Sequence, residues 1–163
     1  MDLEIIVQGA QAESKPELKL WLRLLSTTKL ISHEIRRRLR AEYGATLPQF
    51  DLLAQLYRER DGLRLGELSR RTMVTNGNVT GLVERLEADG LVVRETPDGD
   101  RRVTVAKLTP KGEEFFAGMA AAHEGWLRDM MADVSPELIQ SMLREVGLLK
   151  ISARNHLSGA EEE

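Results

Sequence analysis

Apolar side chains recur at helical spacing over most of the chain, and turn residues divide the pattern into segments. From Glu17 to Tyr43 the apolar positions are Leu18, Trp21, Leu22, Leu25, Leu30, Ile31, Ile35 and Leu39, and the stretch stops at Gly44. That predicts a long helix ended by a residue suited to a left-handed turn. Thr46-Leu47-Pro48-Gln49 has the T-x-x-Q spacing of a capping box, with proline in the first turn where its missing N–H does no harm. Phe50, Leu53, Ala54 and Tyr57 then give an i, i+3, i+4, i+7 face for a second helix ending near Arg60-Asp61-Gly62. A third, shorter helix is predicted over residues 63–74, LRLGELSRRTMV, with Leu65, Leu68 and Met73 inward.

The next stretch, Thr72 to Gly90, has two unlike faces. Val79, Leu82, Val83 and Leu86 form one apolar stripe, while Asn76, Asn78, Thr80, Gly81, Glu84 and Arg85 fill the other face. Thr75 fits an N-cap and Gly90 a C′ position. Asn, Thr and Gly are mediocre to poor helix formers, and a merely solvated face favours Glu, Lys, Gln and Ala. Short hydrogen-bonding groups at the front suit a helix that enters the major groove of DNA by its N-terminus. The bland alternative is a solvated amphipathic helix with an elaborate cap. Two short helices joined by the few residues between Thr72 and Asn76 have the helix-turn-helix arrangement, which favours the DNA reading.

After Gly90 the period changes. Leu91–Thr96 and Arg102–Leu108 read as strands by β-branched content, and Pro97-Asp98-Gly99-Asp100 between them is turn chemistry. A strand, charged turn and strand directly after a helix-turn-helix predict a β-hairpin wing. Arg101 and Arg102 sit beside the turn, where arginine suits the narrow minor groove, and Asp100 fits as the partner that holds an arginine in place. Thr109-Pro110 starts a helix to about Asp133, with Phe115, Phe116, Met119, Ala122, Trp126, Leu127 and Met130 apolar. Ser135-Pro136-Glu137 opens a last helix with Leu138, Ile139, Met142, Leu143, Val146, Leu149 and Ile151. These helices and the first one hold more apolar surface than a small lobe can cover, which predicts a two-fold dimer built on a helical bundle. Such a dimer spaces two recognition helices about one DNA turn apart and matches a palindromic operator.

Charge refines this picture. The net charge is −3, but residues 1–57 hold eight Lys/Arg against seven Asp/Glu, residues 58–111 eleven against nine, and residues 112–163 four against ten. The acid is concentrated in the last third, so the middle can face phosphates. The absence of cysteine excludes disulfides, thiolate catalysis, Cys-based redox sensing and Cys-ligated zinc. No apolar run approaches the ~18 residues of a membrane span, and the N-terminus lacks a signal-peptide pattern, so the expected location is the cytoplasm. His33, His123 and His156 are far apart, with no H-E-x-x-H, phosphate-cradling Gly loop or G-x-S-x-G. Neither an enzyme, a cofactor nor a metal site is expected. The remaining rival is a winged-helix module that binds protein instead of DNA.

The segments LPQFDLLAQL at 47–56, LGELSRRTMVTNGNVTGLVERLEADGLVVRE at 65–95 and DGDRRVTVAKLTPKG at 98–112 together resemble the MarR family of bacterial transcriptional regulators. The resemblance covers roughly residues 18–155. It implies a mainly α fold with a small β-hairpin wing. A winged helix-turn-helix at 47–109 would join a helical dimerisation region at 17–46 and 110–155, with an arm at 1–16 and a disordered acidic tail at 156–163. It implies a homodimer on double-stranded DNA, often a repressor released by a small anionic aromatic ligand. Carried onto this chain, the DNA contacts would be Thr75, Asn76, Gly77, Asn78, Thr80 and Arg85, with Arg102 at the wing tip, Asp100 orienting it and Arg101 on a phosphate. Ser69 and Arg70 are expected near the backbone. The family's ligand cleft would involve Trp21, His33, Arg37, Phe50 and Tyr57, and a phenolic or aromatic acid or its CoA thioester is the expected effector class.

Overall fold

The computed structural model describes residues 15–72, 76–96 and 103–158. Helix α1 (Pro16–Tyr43) buries Leu22, Ile35 and Leu39. It ends as its sequence predicts: Gly44 takes φ +62°, its N–H reaches the Arg40 carbonyl, and the Ala45 N–H reaches the Leu39 carbonyl. Helix α2 (Leu47–Arg58) opens with the expected capping box, in which the Gln49 N–H donates to Thr46 Oγ1 and the Thr46 N–H donates to Gln49 Oε1 at 2.8 Å.

The expected face of α2 needs correction. Leu52, Leu53 and Leu56 are the fully buried residues, Phe50 and Ala54 are half-buried, and Tyr57 is exposed. Neighbouring elements cover α2 from several sides, so one stripe does not describe its buried surface.

The expected third helix is also shorter. Leu63–Arg64 form a strand, β1, and helix α3 spans Leu65–Arg71. β1 exists because Leu63 and Arg64 pair with Ala106 and Val105, a non-local ladder that local periodicity does not register. Gly62 before it has φ +85°, and a Cβ there would lie 2.6 Å from the Ala106 carbonyl oxygen, so glycine is required. Thr72 is buried and donates its hydroxyl to the Leu68 carbonyl at 2.7 Å.

Helix α4 (Asn76–Ala88) buries Val79, Val83 and Leu86 and half-buries Leu82, the stripe its sequence predicts. Gly90 takes φ +72°, with Gly90 N–H to Glu87 O and Leu91 N–H to Leu86 O. Strands β2 (Val92–Glu95) and β3 (Val105–Leu108) are antiparallel, pairing Val92 with Leu108 and Arg94 with Ala106. With β1 on the far side of β3, the sheet has three strands in the order β1-β3-β2, one more than a simple hairpin.

Helix α5 (Pro110–Met130) stops short of Asp133, and helix α6 (Pro136–Ser158) follows, with Leu138 N–H donating to Ser135 Oγ at 3.2 Å. The chain forms two compact units, one ending at Glu124 and one beginning at Gly125. The first holds all of the buried apolar residues named above, and the second adds buried Trp126. In the second, α6 displays Leu138, Met142, Val146 and Leu149 as one exposed apolar stripe. Among the described residues no helix is long and apolar enough to cross a membrane.

Candidate nucleic-acid interface

The buried stripe of α4 turns its polar positions outward. Gly77, Asn78, Thr80 and Arg85 are exposed, and Gly81 is half-exposed. Asn76 is the first residue of the helix. α4 packs against α3, whose last turn presents Arg70 to solvent and leaves Ser69 half-buried. The two glycines are informative. Both have helical backbones, and a Cβ at Gly77 or Gly81 would meet no atom within 4 Å. Glycine in a helix interior, as at Gly81, costs roughly 0.5–1 kcal/mol relative to alanine, and among the described residues no neighbouring atom requires glycine at either position. Thr75, Asp100, Arg101 and Arg102 lie outside the described residues.

Several residues that periodicity alone does not single out hold this surface in place. Arg94 on β2 donates to Glu87 on α4, whose carboxyl it holds below the usual range. Arg71 at the end of α3 bridges Glu67 one turn earlier and Glu59 just after α2. Lys107 on β3 pairs with Glu95 on β2 at 2.7 Å. Lys111 and Thr109 take up the last carbonyls beyond α4, at Asp89 and Gly90, both at 2.7 Å.

The five cleft candidates do not converge. His33 and Arg37 line an open groove of about 680 Å³ with Arg36, Arg40, Ala41, Ala45 and Leu47, where α1 meets the start of α2. Arg37 is engaged there by Glu34 through two bonds of 2.8 and 2.6 Å, and Arg38 donates to the same carboxylate at 2.7 Å. These bonds pull the Glu34 carboxyl down to about 2. Phe50 and Tyr57 sit instead against Phe116 of α5, with ring centroids 5.5 and 5.0 Å apart. His123, absent from the expected set, lies 4.7 Å from the Phe50 ring, and burial lowers its pKa. Trp21 is 56% exposed on α1.

A sequence profile of the MarR family matches residues 43–103, the stretch from the end of α1 through β2. A crystal structure of a MarR family transcriptional regulator from Silicibacter pomeroyi is 35% identical, covers 87% of this chain and 99% of its own, and superimposes with a TM-score of 0.70. The chain belongs to the MarR family of transcriptional regulators. Among curated relatives, the uncharacterized HTH-type transcriptional regulator YsmB of Bacillus subtilis is 33% identical over 110 residues, 68% of this chain and 73% of that protein. Sco3205 of Streptomyces coelicolor, a MarR family regulator solved in complex with DNA, is 27% identical with a TM-score of 0.75, covering 87% of this chain and 88% of that one. Membership makes this chain a DNA-binding transcriptional regulator with a winged helix, a family of regulators rather than of enzymes.

Proposed function

We propose that this MarR family member is a homodimeric repressor that reads a palindromic operator and is released by a small anionic effector. In this reading α4 enters the major groove by its N-terminus, with Thr75, Asn76, Gly77, Asn78 and Thr80 at base edges and phosphates and Arg85 on the backbone. Arg102 enters the neighbouring minor groove, oriented by Asp100, while Arg101, Ser69 and Arg70 meet phosphates. The observation that supports this best is the outward face of α4. It combines short polar side chains with two glycines that no neighbouring atom among the described residues requires, as suits a helix pressed closely onto a partner surface. That Sco3205 was solved with DNA adds a fold-level precedent.

A second copy of the chain is the partner that the exposed apolar residues favour. Leu138, Met142, Val146 and Leu149 on α6 and Leu18, Leu20, Trp21 and Leu30 on α1 are all exposed in the single chain. The groove edged by His33, Arg36, Arg37 and Arg40 favours an anionic effector, with aromatic acids and their CoA thioesters as the classes to test first. Such a ligand acts by preferring the conformation with misplaced recognition helices, and a 99:1 reversal needs ~5.5 kcal/mol of differential binding.

The test separates two kinds of contact. Asn78→Ala should lower discrimination between operator and random duplex more than it lowers non-specific affinity. Arg102→Ala should weaken operator binding and flatten its salt dependence. Parent-like operator binding by both variants would reject this docking. An aromatic-acid panel that changes neither operator affinity nor melting temperature would reject the effector class.

A further inference from the structure

The outward face of α4 has an electrostatic problem, and the structure contains its answer. Glu84 follows Gly77 by seven residues and Gly81 by three, so it shares the face that the proposed function turns toward DNA. Its side chain is 56% exposed. Glu87 lies one turn further on. Two carboxylates near a phosphate backbone oppose docking, and like-charge juxtaposition at an interface suppresses binding.

Both carboxylates converge on one guanidinium. Arg94 Nε donates to Glu87 Oε2 at 2.8 Å, Nη2 lies 2.7 Å from the same oxygen, and Nη1 lies 3.5 Å from Glu84 Oε1. The Arg94 backbone N–H adds a 3.3 Å bond to Glu87 Oε1. Arg94 has this reach because it lies on β2 two residues after buried Val92, on the same side of the strand, and β2 packs against α4. A lysine would supply the charge without the fork that engages two acids at once.

We infer that Arg94 is a positioning residue for DNA docking. It fastens the wing's first strand to the recognition helix and offsets half of the negative charge of the two carboxylates that α4 would otherwise present to phosphates. This inference rests on the proposed docking of α4. A purely structural clamp would affect stability. A charge mask also changes how binding responds to salt and to removal of the acids.

The experiment uses the full-length protein and a duplex that the parent selects from a randomised pool. Binding is measured by fluorescence anisotropy at low and high salt for the parent, R94Q, R94K and the triple variant R94Q/E84Q/E87Q. Circular-dichroism melts accompany each, because exposed ion pairs add little to stability and all four proteins should fold. R94Q is expected to lose about tenfold or more in affinity at low salt, with the deficit shrinking as salt screens the freed carboxylates. R94K should recover part of the loss, and the triple variant most of it. A triple variant as weak as R94Q, or a deficit independent of salt, overturns the inference while leaving the docking intact. A parent that selects no duplex at all overturns both.

Discussion

The Thr109 hydroxyl donates to the Gly90 carbonyl at 2.7 Å and accepts the Gly112 N–H at 3.0 Å, so one side chain caps the start of α5 and anchors the residue that ends α4. Lys111 adds a bond to the Asp89 carbonyl at 2.7 Å. Carbonyls at a helix end have no intrahelical partner, and here the next long helix supplies donors for them. The exit of α4 is thereby fixed to the start of α5.

Replacing Thr109 by alanine removes the cap and the Gly90 bond together. The expected cost is about 1–2 kcal/mol of stability, with Thr109→Ser staying close to the parent. Urea denaturation of the two variants measures the difference.

Glycines 112 and 81 should respond in opposite ways to the same substitution. A Cβ at Gly112 would collide with the Leu91 carbonyl group, whose carbon would lie 2.9 Å away, so Gly112→Ala should cost about 1–3 kcal/mol. At Gly81 the space is open, and Gly81→Ala should stabilise the isolated protein by about 0.5–1 kcal/mol. If DNA needs the bare backbone there, the same variant binds its operator less well. Melting curves and operator titrations on both variants check the pair, and a Gly81→Ala protein with undiminished operator affinity would remove the close approach from the account.

Acid should act on α1 through Glu34. Its hydrogen bonds from Arg37 and Arg38 lower the carboxyl from 4.5 to about 2. A carboxyl depressed on folding contributes stability that is present above its ordinary pKa and lost as pH falls toward the folded value. Glu34→Gln should therefore flatten the decline of melting temperature between pH 4.5 and about 2 and soften its salt dependence.

The α6 stripe gives a prediction about assembly. Val146→Asp places a charge in the middle of Leu138, Met142 and Leu149. Sedimentation velocity should show a shift from dimer to monomer, and operator affinity should fall because a monomer engages one half-site. An unshifted dimer would move the interface elsewhere.

Much of the fold is legible in the sequence because local rules decide it. The capping box at Thr46 and Gln49, the left-handed ends at Gly44 and Gly90, and the α4 stripe of Val79, Val83 and Leu86 all depend on neighbours within a turn or two. β1 is not legible, because Leu63 and Arg64 are a strand only through partners some forty residues later. The same holds for Gly112, whose reason is the backbone at Leu91, and for Arg94, whose acids lie on a different element. The face of α2 is misread because several elements cover it, and a single stripe assumes one. The polar front of α4 is legible as composition. The open space around Gly77 and Gly81 emerges only in three dimensions.

The most direct test of the central claim is anisotropy binding to the palindromes flanking the protein's own gene, at two salt concentrations, against a scrambled duplex. Tight, sequence-selective binding by a dimer is expected, with preference for the palindrome retained at the higher salt. Equally weak binding to both duplexes that vanishes with salt would contradict it.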